Sequence, residues 1–235
     1  MDCLEGMKLI DDKSIDMILC DLPYGTTKCK WDIIIPFEPL WEQYERIIKD
    51  NGIIVLFGSQ PFTSQLINSN IKYFRYEIIW EKEQATNFVF IRKQIGKIHE
   101  NICVFYKKQP IYNPQMRNGK NIKYSGSINQ INSHNQIISG KRKIKESNQR
   151  YPISIVKFNR DKNKLHPTQK PVALFEYLIH TYTNEGNLVL DNCMGSGTTA
   201  IACINTNRNY IGFELDTTYC DLANKRIQDI VCEEQ

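Results

Sequence analysis

No run of 18 consecutive apolar residues occurs in the chain, so no membrane-spanning helix is expected. The first residues, Met1-Asp2-Cys3-Leu4-Glu5, have neither the basic start nor the apolar stretch of a secretory signal, and the expected compartment is the cytoplasm. Eight cysteines are present, yet no two form a C-x-x-C pair and several sit in apolar runs. That predicts reduced, mostly buried thiols rather than a disulfide frame or a zinc site. The four histidines are scattered, and His99-Glu100 lacks the second histidine of an H-E-x-x-H helix, so no metal is assigned. No internal repeat is visible.

At 235 residues, 41% hydrophobic and 24% charged, the chain suits one large α/β domain or a core with one insertion. The net charge of +4 conceals an asymmetry. Residues 91–164 hold 17 Lys/Arg against three acids, a local net of +14, which leaves −10 for the remainder. A basic stretch alone reads as a solvated loop. This one also carries Tyr106, Tyr112, Tyr124, Tyr151 and Phe158, and basic groups interleaved with aromatics suit phosphate neutralisation and base stacking.

Hydrophobic runs predict strands at 15–20, 53–57, 76–80, 101–106, 188–190 and 210–213, with 76–80 and 101–106 as antiparallel neighbours. Helical spacing predicts helices at 37–49, closed by Asn51-Gly52, and at 61–67, 171–181, 198–205 and 218–231. Residues 113–150 lack a hydrophobic period and read as an irregular insertion.

Two segments carry the chemistry. Asp21-Leu22-Pro23-Tyr24-Gly25 follows the first strand, and Asp191-Asn192-Cys193-Met194-Gly195-Ser196-Gly197-Thr198-Thr199 follows the run 188–190. The second has the layout of a cofactor loop. Its glycines permit close backbone approach, the helix from Thr198 offers free N–H groups, and Glu214 ends the next strand where a ribose hydroxyl would be bound. Alone it is also a common glycine turn. In the first segment, the Asp21 carboxylate and the Leu22 carbonyl are acceptors able to hold both N–H bonds of an amino group on a flat ring. That draws the nitrogen lone pair out of conjugation. Pro23 stiffens the turn, and Tyr24 offers a stacking face, with Phe57 or Phe62 as a further wall.

Together these segments resemble the motifs of the S-adenosylmethionine-dependent amino-methyltransferases of DNA, which make N6-methyladenine or N4-methylcytosine. Leu165-His166-Pro167-Thr168-Gln169-Lys170-Pro171 is similar to the family's segment at the methionine end of the cofactor. The order, catalytic motif first and cofactor loop last, resembles the circularly permuted beta class, and the likeness spans nearly all of the chain outside about 113–160. The resemblance implies an α/β, three-layer Rossmann-like methyltransferase sheet, mostly parallel with one antiparallel strand. It implies a core of 1–106 and 151–235 and a basic target-recognition insertion at 107–150. The implied catalytic set is Asp21, Leu22, Pro23 and Tyr24. The implied cofactor set is Asp2, Cys3, Asp21, Thr168, Lys170, Asp191, Asn192, Met194, Gly195, Ser196, Gly197, Thr198, Thr199, Glu214 and Leu215, with Thr168 and Lys170 on the cofactor carboxylate and Asp2 near its adenine. Lys82, Asn87, Arg92, Lys97, Arg117, Lys141, Arg142 and Lys143 are the expected DNA contacts.

The chain departs from the family pattern in three places. Leu22 replaces the proline of the adenine form, though only its backbone carbonyl is needed. Asn192-Cys193 replaces Pro-Phe, which predicts a looser adenine pocket. The short strand that precedes Asp2 in the family is missing or short, which predicts weaker cofactor binding. Asp21 at the first motif position favours adenine N6 over cytosine N4. The absence of a Pro-Cys dipeptide argues against ring-carbon methylation through a cysteine. The reading is a site-specific methyltransferase acting on double-stranded DNA, of bacterial or phage type. A companion restriction endonuclease or none, and monomer or homodimer, stay open. The rivals are an NAD-dependent oxidoreductase, a non-catalytic DNA-binding module, and methylation of protein or RNA.

Overall fold

The computed structural model describes the backbone of residues 1–27, 29, 32–124, 127–131, 137–141, 145–161 and 169–233, with side chains except those of 120–147 and 233. The chain divides into a larger unit, 1–113 with 154–235, and a smaller unit, 114–153.

In the larger unit the elements are α1 (Cys3–Met7), β1 (Ile15–Cys20), α2 (Phe37–Ile47), β2 (Ile48–Gly58), α3 (Phe62–Ser69), β3 (Phe74–Glu81) and β4 (His99–Phe105). In the smaller unit come β5 (Arg117–Tyr124), β6 (Ser127–Ile131), β7 (Ile137–Lys141) and β8 (Lys145–Arg150). The larger unit resumes with β9 (Ile155–Lys157), α4 (Val172–Tyr182), β10 (Leu188–Asp191), α5 (Thr198–Asn205), β11 (Asn209–Gly212) and α6 (Thr217–Glu233).

Among the described residues, one seven-stranded sheet runs β11-β10-β1-β2-β4-β3-β9. Only β4 is antiparallel, to both β2 and β3, and all other neighbours are parallel. The alternation of β1 explains the layering. Ile18 and Cys20 join Ile54 and Leu56 under Leu40, Tyr44, Ile47 and Leu66 of α2 and α3. Met17 and Leu19 join Val55 and Val104 against Leu174, Leu178, Ala202 and Cys203 of α4 and α5. Each face is thus a hydrophobic layer, the three-layer arrangement expected of a sheet buried on both sides.

Three expectations shift. The helix expected over 37–49 ends at Ile47, and β2 starts at Ile48, so Asn51-Gly52 lies inside a strand rather than closing a helix. The register slips there, Ile15 facing Ile48 but Met17 facing Ile53, as a bulge accommodates the extra residues. Helix α1 was not expected: Asp2 caps it, Oδ1 accepting from Leu4 N at 2.8 Å and Glu5 N at 3.3 Å. The segment read as irregular holds two antiparallel ladders, β5 with β8 and β6 with β7. Their sequences are mostly polar, and the few apolar residues, such as Ile128, Ile131, Ile137 and Ile138, do not alternate along a strand, so no sustained period-two signal is there to read.

No helix among the described residues is long and apolar enough to cross a membrane. Among those residues no group of three His, Cys, Asp or Glu stands where it could hold a metal ion.

Candidate active site

β1 and β10 are adjacent and parallel, with Ile18 opposite Leu190, so the chain leaves both strands at the same end of the sheet. Asp21 follows β1 directly, and Asp191 is the last residue of β10. From β1 the chain crosses to β2 on one side; from β10 it crosses to β11 on the other. This is the switch point at which open α/β sheets bind ligands.

In the first motif, Leu22 is buried and Tyr24 stacks on Phe62, with ring centroids 5.1 Å apart and planes 27° apart. The Tyr24 hydroxyl donates to Asp21 Oδ1 at 2.7 Å. Burial, then the charge of Asp21, holds the phenol pKa well above its ordinary value, so Tyr24 remains a donor. Phe57 lies deeper, fully buried and stacked on Phe175 at 5.2 Å.

Lys170 is buried, and its ammonium donates to Asp21 Oδ2. The same Nζ lies 3.3 Å from Glu100 Oε2, and it sits 5.3 Å from the Phe57 ring centroid and 5.7 Å from that of Tyr24. Glu100 Oε1 accepts in turn from Lys82 Nζ, which lies 4.9 Å from the Trp80 ring centroid. A chain of alternating charge therefore runs Asp21, Lys170, Glu100, Lys82. Burial alone would raise the Glu100 pKa, but the ammoniums of Lys170 and Lys82 outweigh it and hold the carboxyl below its usual value. Burial opposes the charge on Lys170 too, and the Asp21 and Glu100 carboxylates overcome it and raise that pKa.

Asp32 latches the next stretch of backbone. Its Oδ1 accepts from Gly25 N at 2.8 Å, and its Oδ2 accepts from Thr26 N at 2.9 Å and Thr27 N at 2.6 Å. Burial works against its charge, and the hydrogen bonds from residues 25–27 hold its pKa below the usual value.

In the second motif, Gly195 and Gly197 have φ of +53° and +82°, a region that L side chains rarely adopt. A Cβ on Gly197 would stand 3.0 Å from Ala223 Cβ, so helix α6 also closes that position. Gly195 N donates to Glu214 Oε2 at 2.7 Å, and Asp216 N donates to Glu214 Oε1 at 2.8 Å. Asp191 is buried, accepting from Cys193 N at 3.0 Å and from Thr199 Oγ1. Burial pushes its pKa up to about 6 against those hydrogen bonds. Asn192 Oδ1 accepts from Tyr44 OH at 2.5 Å, which ties the loop to α2. Ser196 O accepts from Arg226 Nη1 at 2.5 Å. The loop is thus a pre-shaped backbone cradle beside a helix N-terminus, with a carboxylate one strand away. That chemistry fits a nucleoside carrying ribose hydroxyls.

Other expected site residues fall as follows. Asp2 spends its carboxylate on capping α1. Met194 is buried, Cys3 is partly buried, and Leu215 is exposed. Lys82, expected to meet DNA, is buried on Glu100, because an ammonium at that depth needs a carboxylate partner; it is withdrawn from the phosphate-facing set. Asn87 bonds across its own loop, accepting from Lys97 N at 2.6 Å and donating to Ile95 O at 3.1 Å. Arg92 and Arg117 are exposed, and Lys97 Nζ donates to Ser59 Oγ. Thr168, Arg142 and Lys143 lie outside the described residues, as does the Lys141 side chain. Glu100, Asp32 and Tyr44 were not anticipated as site residues. The only available signal was the acid in His99-Glu100, which invites a metal reading instead.

A mostly parallel seven-stranded sheet with one antiparallel strand, carrying an acid-x-Pro-Tyr turn and a glycine cradle at its switch point, defines a Rossmann-like methyltransferase. The chain belongs to the N6/N4 methyltransferase family, described as DNA methylase, whose profile matches residues 15–225. It is 29% identical to the Type II methyltransferase M.HpaI of Haemophilus parainfluenzae, over 96% of this chain and 72% of that protein. It is 27% identical to the DNA adenine methyltransferase YhdJ of Escherichia coli K12, over 96% and 80%. Among solved structures, M1.HpyAVI in complex with SAM superposes with a TM-score of 0.64 at 27% identity, over 96% of both chains. The cytosine-N4-specific PvuII DNA methyltransferase shares the fold, with a TM-score of 0.69 at 15% identity, over 98% of this chain and 89% of that one.

Proposed function

We propose that this chain methylates the exocyclic amino group of a base extruded from double-stranded DNA, at adenine N6, using S-adenosylmethionine. The observation that supports it most is the meeting of Asp21 and the Gly195–Gly197 cradle at neighbouring strand ends. Membership of the N6/N4 family and the likeness to YhdJ, named an adenine methyltransferase, favour the same chemistry. Bound in the cradle, S-adenosylmethionine supplies an electrophilic methyl group on a sulfonium. Glu214 accepts from the ribose hydroxyls, and the loop backbone follows the nucleoside.

Asp21 and the Leu22 carbonyl accept the two N–H bonds of the target amine. A carboxylate has about four acceptor positions, so Tyr24 and Lys170 leave capacity on Asp21 for the substrate. Tyr24, backed by Phe62, presents its other face to the base. Lys170 holds Asp21 in place. The expected link from Lys170 to the cofactor carboxylate gives way, in this reading, to a positioning role.

The smaller unit, with eight Lys/Arg and one acid over 114–153, is proposed as the part that reads the target sequence. The proposal accommodates a companion endonuclease or none, and a monomer or a homodimer. One relative, M.HpaI, is named a Type II methyltransferase, and another, M.BamHII of Bacillus amyloliquefaciens, is named an orphan. The cytoplasm, where the DNA substrate lies, is the proposed location.

The test is methyl transfer from labelled S-adenosylmethionine to plasmid DNA, followed by digestion to nucleosides. Label in N6-methyladenine is expected. Label in cytosine alone, in protein or RNA instead, or nowhere, would overturn the reading.

A further inference from the structure

Isolated apolar side chains on a surface are ordinary, but a contiguous cluster is not. One stands between β3 and β4. Phe88, Val89, Phe90, Ile91 and Ile95 all lie at least half in solvent, with Phe88 and Val89 at 71% and 73% exposure. The loop that displays them is built, not loose. Phe88–Phe90 forms a 3-10 turn, with Phe90 N donating to Asn87 O at 2.9 Å and Lys93 N to Phe90 O at 2.8 Å. The Asn87 side chain closes the neck on Lys97 N and Ile95 O, and Thr86 N donates to Lys97 O at 2.9 Å. Hydrogen bonding therefore holds the apolar tip in shape.

Its position and charge identify the partner. The loop springs from Lys82 and Glu100, the two ends of the buried ion pair that reaches Asp21 through Lys170. Between residues 84 and 99 there is no Asp or Glu, while Arg92, Lys93 and Lys97 are basic. An apolar tip with cationic flanks, rooted at an ion pair that Lys170 links to the catalytic carboxylate, matches a duplex with a gap in its stack. Proteins that distort DNA insert apolar wedges between base steps and meet the neighbouring phosphates with basic groups.

We propose that the Phe88-Val89-Phe90 turn enters the DNA helix where the target base has left it. There it fills the vacated space, with Arg92 and Lys93 on the adjoining phosphates. The proposal rests on the base-extruding methyl transfer argued above.

The test first finds the modified sequence by mapping methylated bases in plasmid DNA exposed to the enzyme. Two duplex oligonucleotides carrying that site follow, one with the target base normally paired and one with it opposite an abasic position. The double variant Phe88→Ala/Phe90→Ala is expected to lose about tenfold or more of the methylation rate on the paired duplex. On the abasic duplex, where extrusion is already easy, it is expected to match the unmodified enzyme, and its thermal shift with S-adenosylmethionine is expected to be unchanged. Should the double variant not fold, Phe88→Ser alone is read in the same way. Undiminished rate on the paired duplex overturns the wedge, and so does equal loss on both duplexes. A variant that falls from dimer to monomer on a sizing column assigns the patch to a second copy of the chain and overturns it too. An unmodified enzyme that labels no DNA removes the methyl-transfer reading itself, and the wedge with it.

Discussion

The ammonium of Lys170 rests on the carboxylate of Asp21, 149 positions earlier in the chain. That contact fastens the segment before α4 to the turn after β1, beneath the position proposed for the target amine. Asp21→Asn keeps the shape and one acceptor but loses the charge. Methyl transfer is expected to fall about 10²–10³-fold, the scale seen when one group stabilising transition-state charge is removed. The thermal shift with S-adenosylmethionine is expected to survive. Labelled-methyl incorporation measures the first and a melting curve the second; an unchanged rate would remove Asp21 from the chemistry.

Glu100 serves two buried ammoniums. Glu100→Gln leaves Lys82 and Lys170 with Asp21 as the nearby carboxylate, and breaking a buried pair from one side costs roughly 3–5 kcal/mol. Adding Lys82→Met is expected to restore part of that loss, because one stranded charge goes with it. The carboxyl's folded pKa lies below its unfolded value of 4.5, so its stabilisation is present above that value and is lost as pH falls through the folded one. The urea midpoint of the unmodified protein relative to that of Glu100→Gln is expected to fall as pH drops from 6 to 3, and a difference that stays flat would contradict the paired carboxylate.

Asp191 runs the other way. Burial raises its folded pKa from 3.8 to about 6, so the folded chain binds this proton more tightly than the unfolded one. The contribution is fully present below pH 3.8 and is lost as pH rises through about 6, on the order of 2–3 kcal/mol in all. Urea midpoints of the unmodified protein relative to Asp191→Asn are expected to fall between pH 4 and 6. A difference that stays flat there would contradict the buried, proton-binding aspartate.

The two loop glycines are expected to differ in tolerance. At Gly195 an added Cβ finds nothing nearer than Cys193 O at 4.0 Å, so Gly195→Ala costs only the left-handed backbone, about 1–2 kcal/mol. Gly197→Ala has the same backbone cost and also presses on Ala223. Gly197→Ala is therefore expected to be the less stable variant in urea and the weaker binder of S-adenosylmethionine in calorimetry. The reverse order would mean that α6 yields easily.

Much of this molecule is legible from local sequence. The apolar runs ending at Asp21 and Asp191 mark buried parallel strands, because a strand covered on both faces carries little polar alternation. The helix 171–181 and the antiparallel pair around 76–80 and 101–106 follow from spacing alone. Glu100 was not legible as a site residue, because its value comes from Lys170 and Lys82, which reach it from distant parts of the chain. Asp32 was hidden for a related reason: a carboxylate that latches three backbone N–H groups leaves no periodic signature. The ladders of 114–153 escaped because mostly polar strands with a few scattered isoleucines give a pattern little different from that of a loop.

By itself, then, the sequence determined six of the seven strands of the large sheet, the two motifs and their order, since hydrophobic period, glycine and proline act over a few neighbouring residues. The tertiary structure decided which charges share a buried site. It moved Lys82 from the expected DNA surface to Glu100, set Lys170 on Asp21, and left Phe88 and Val89 in solvent on the loop between Lys82 and Glu100. Ion pairing and burial depend on which side chains meet in space, and that is fixed only when the sheet brings distant segments to one edge.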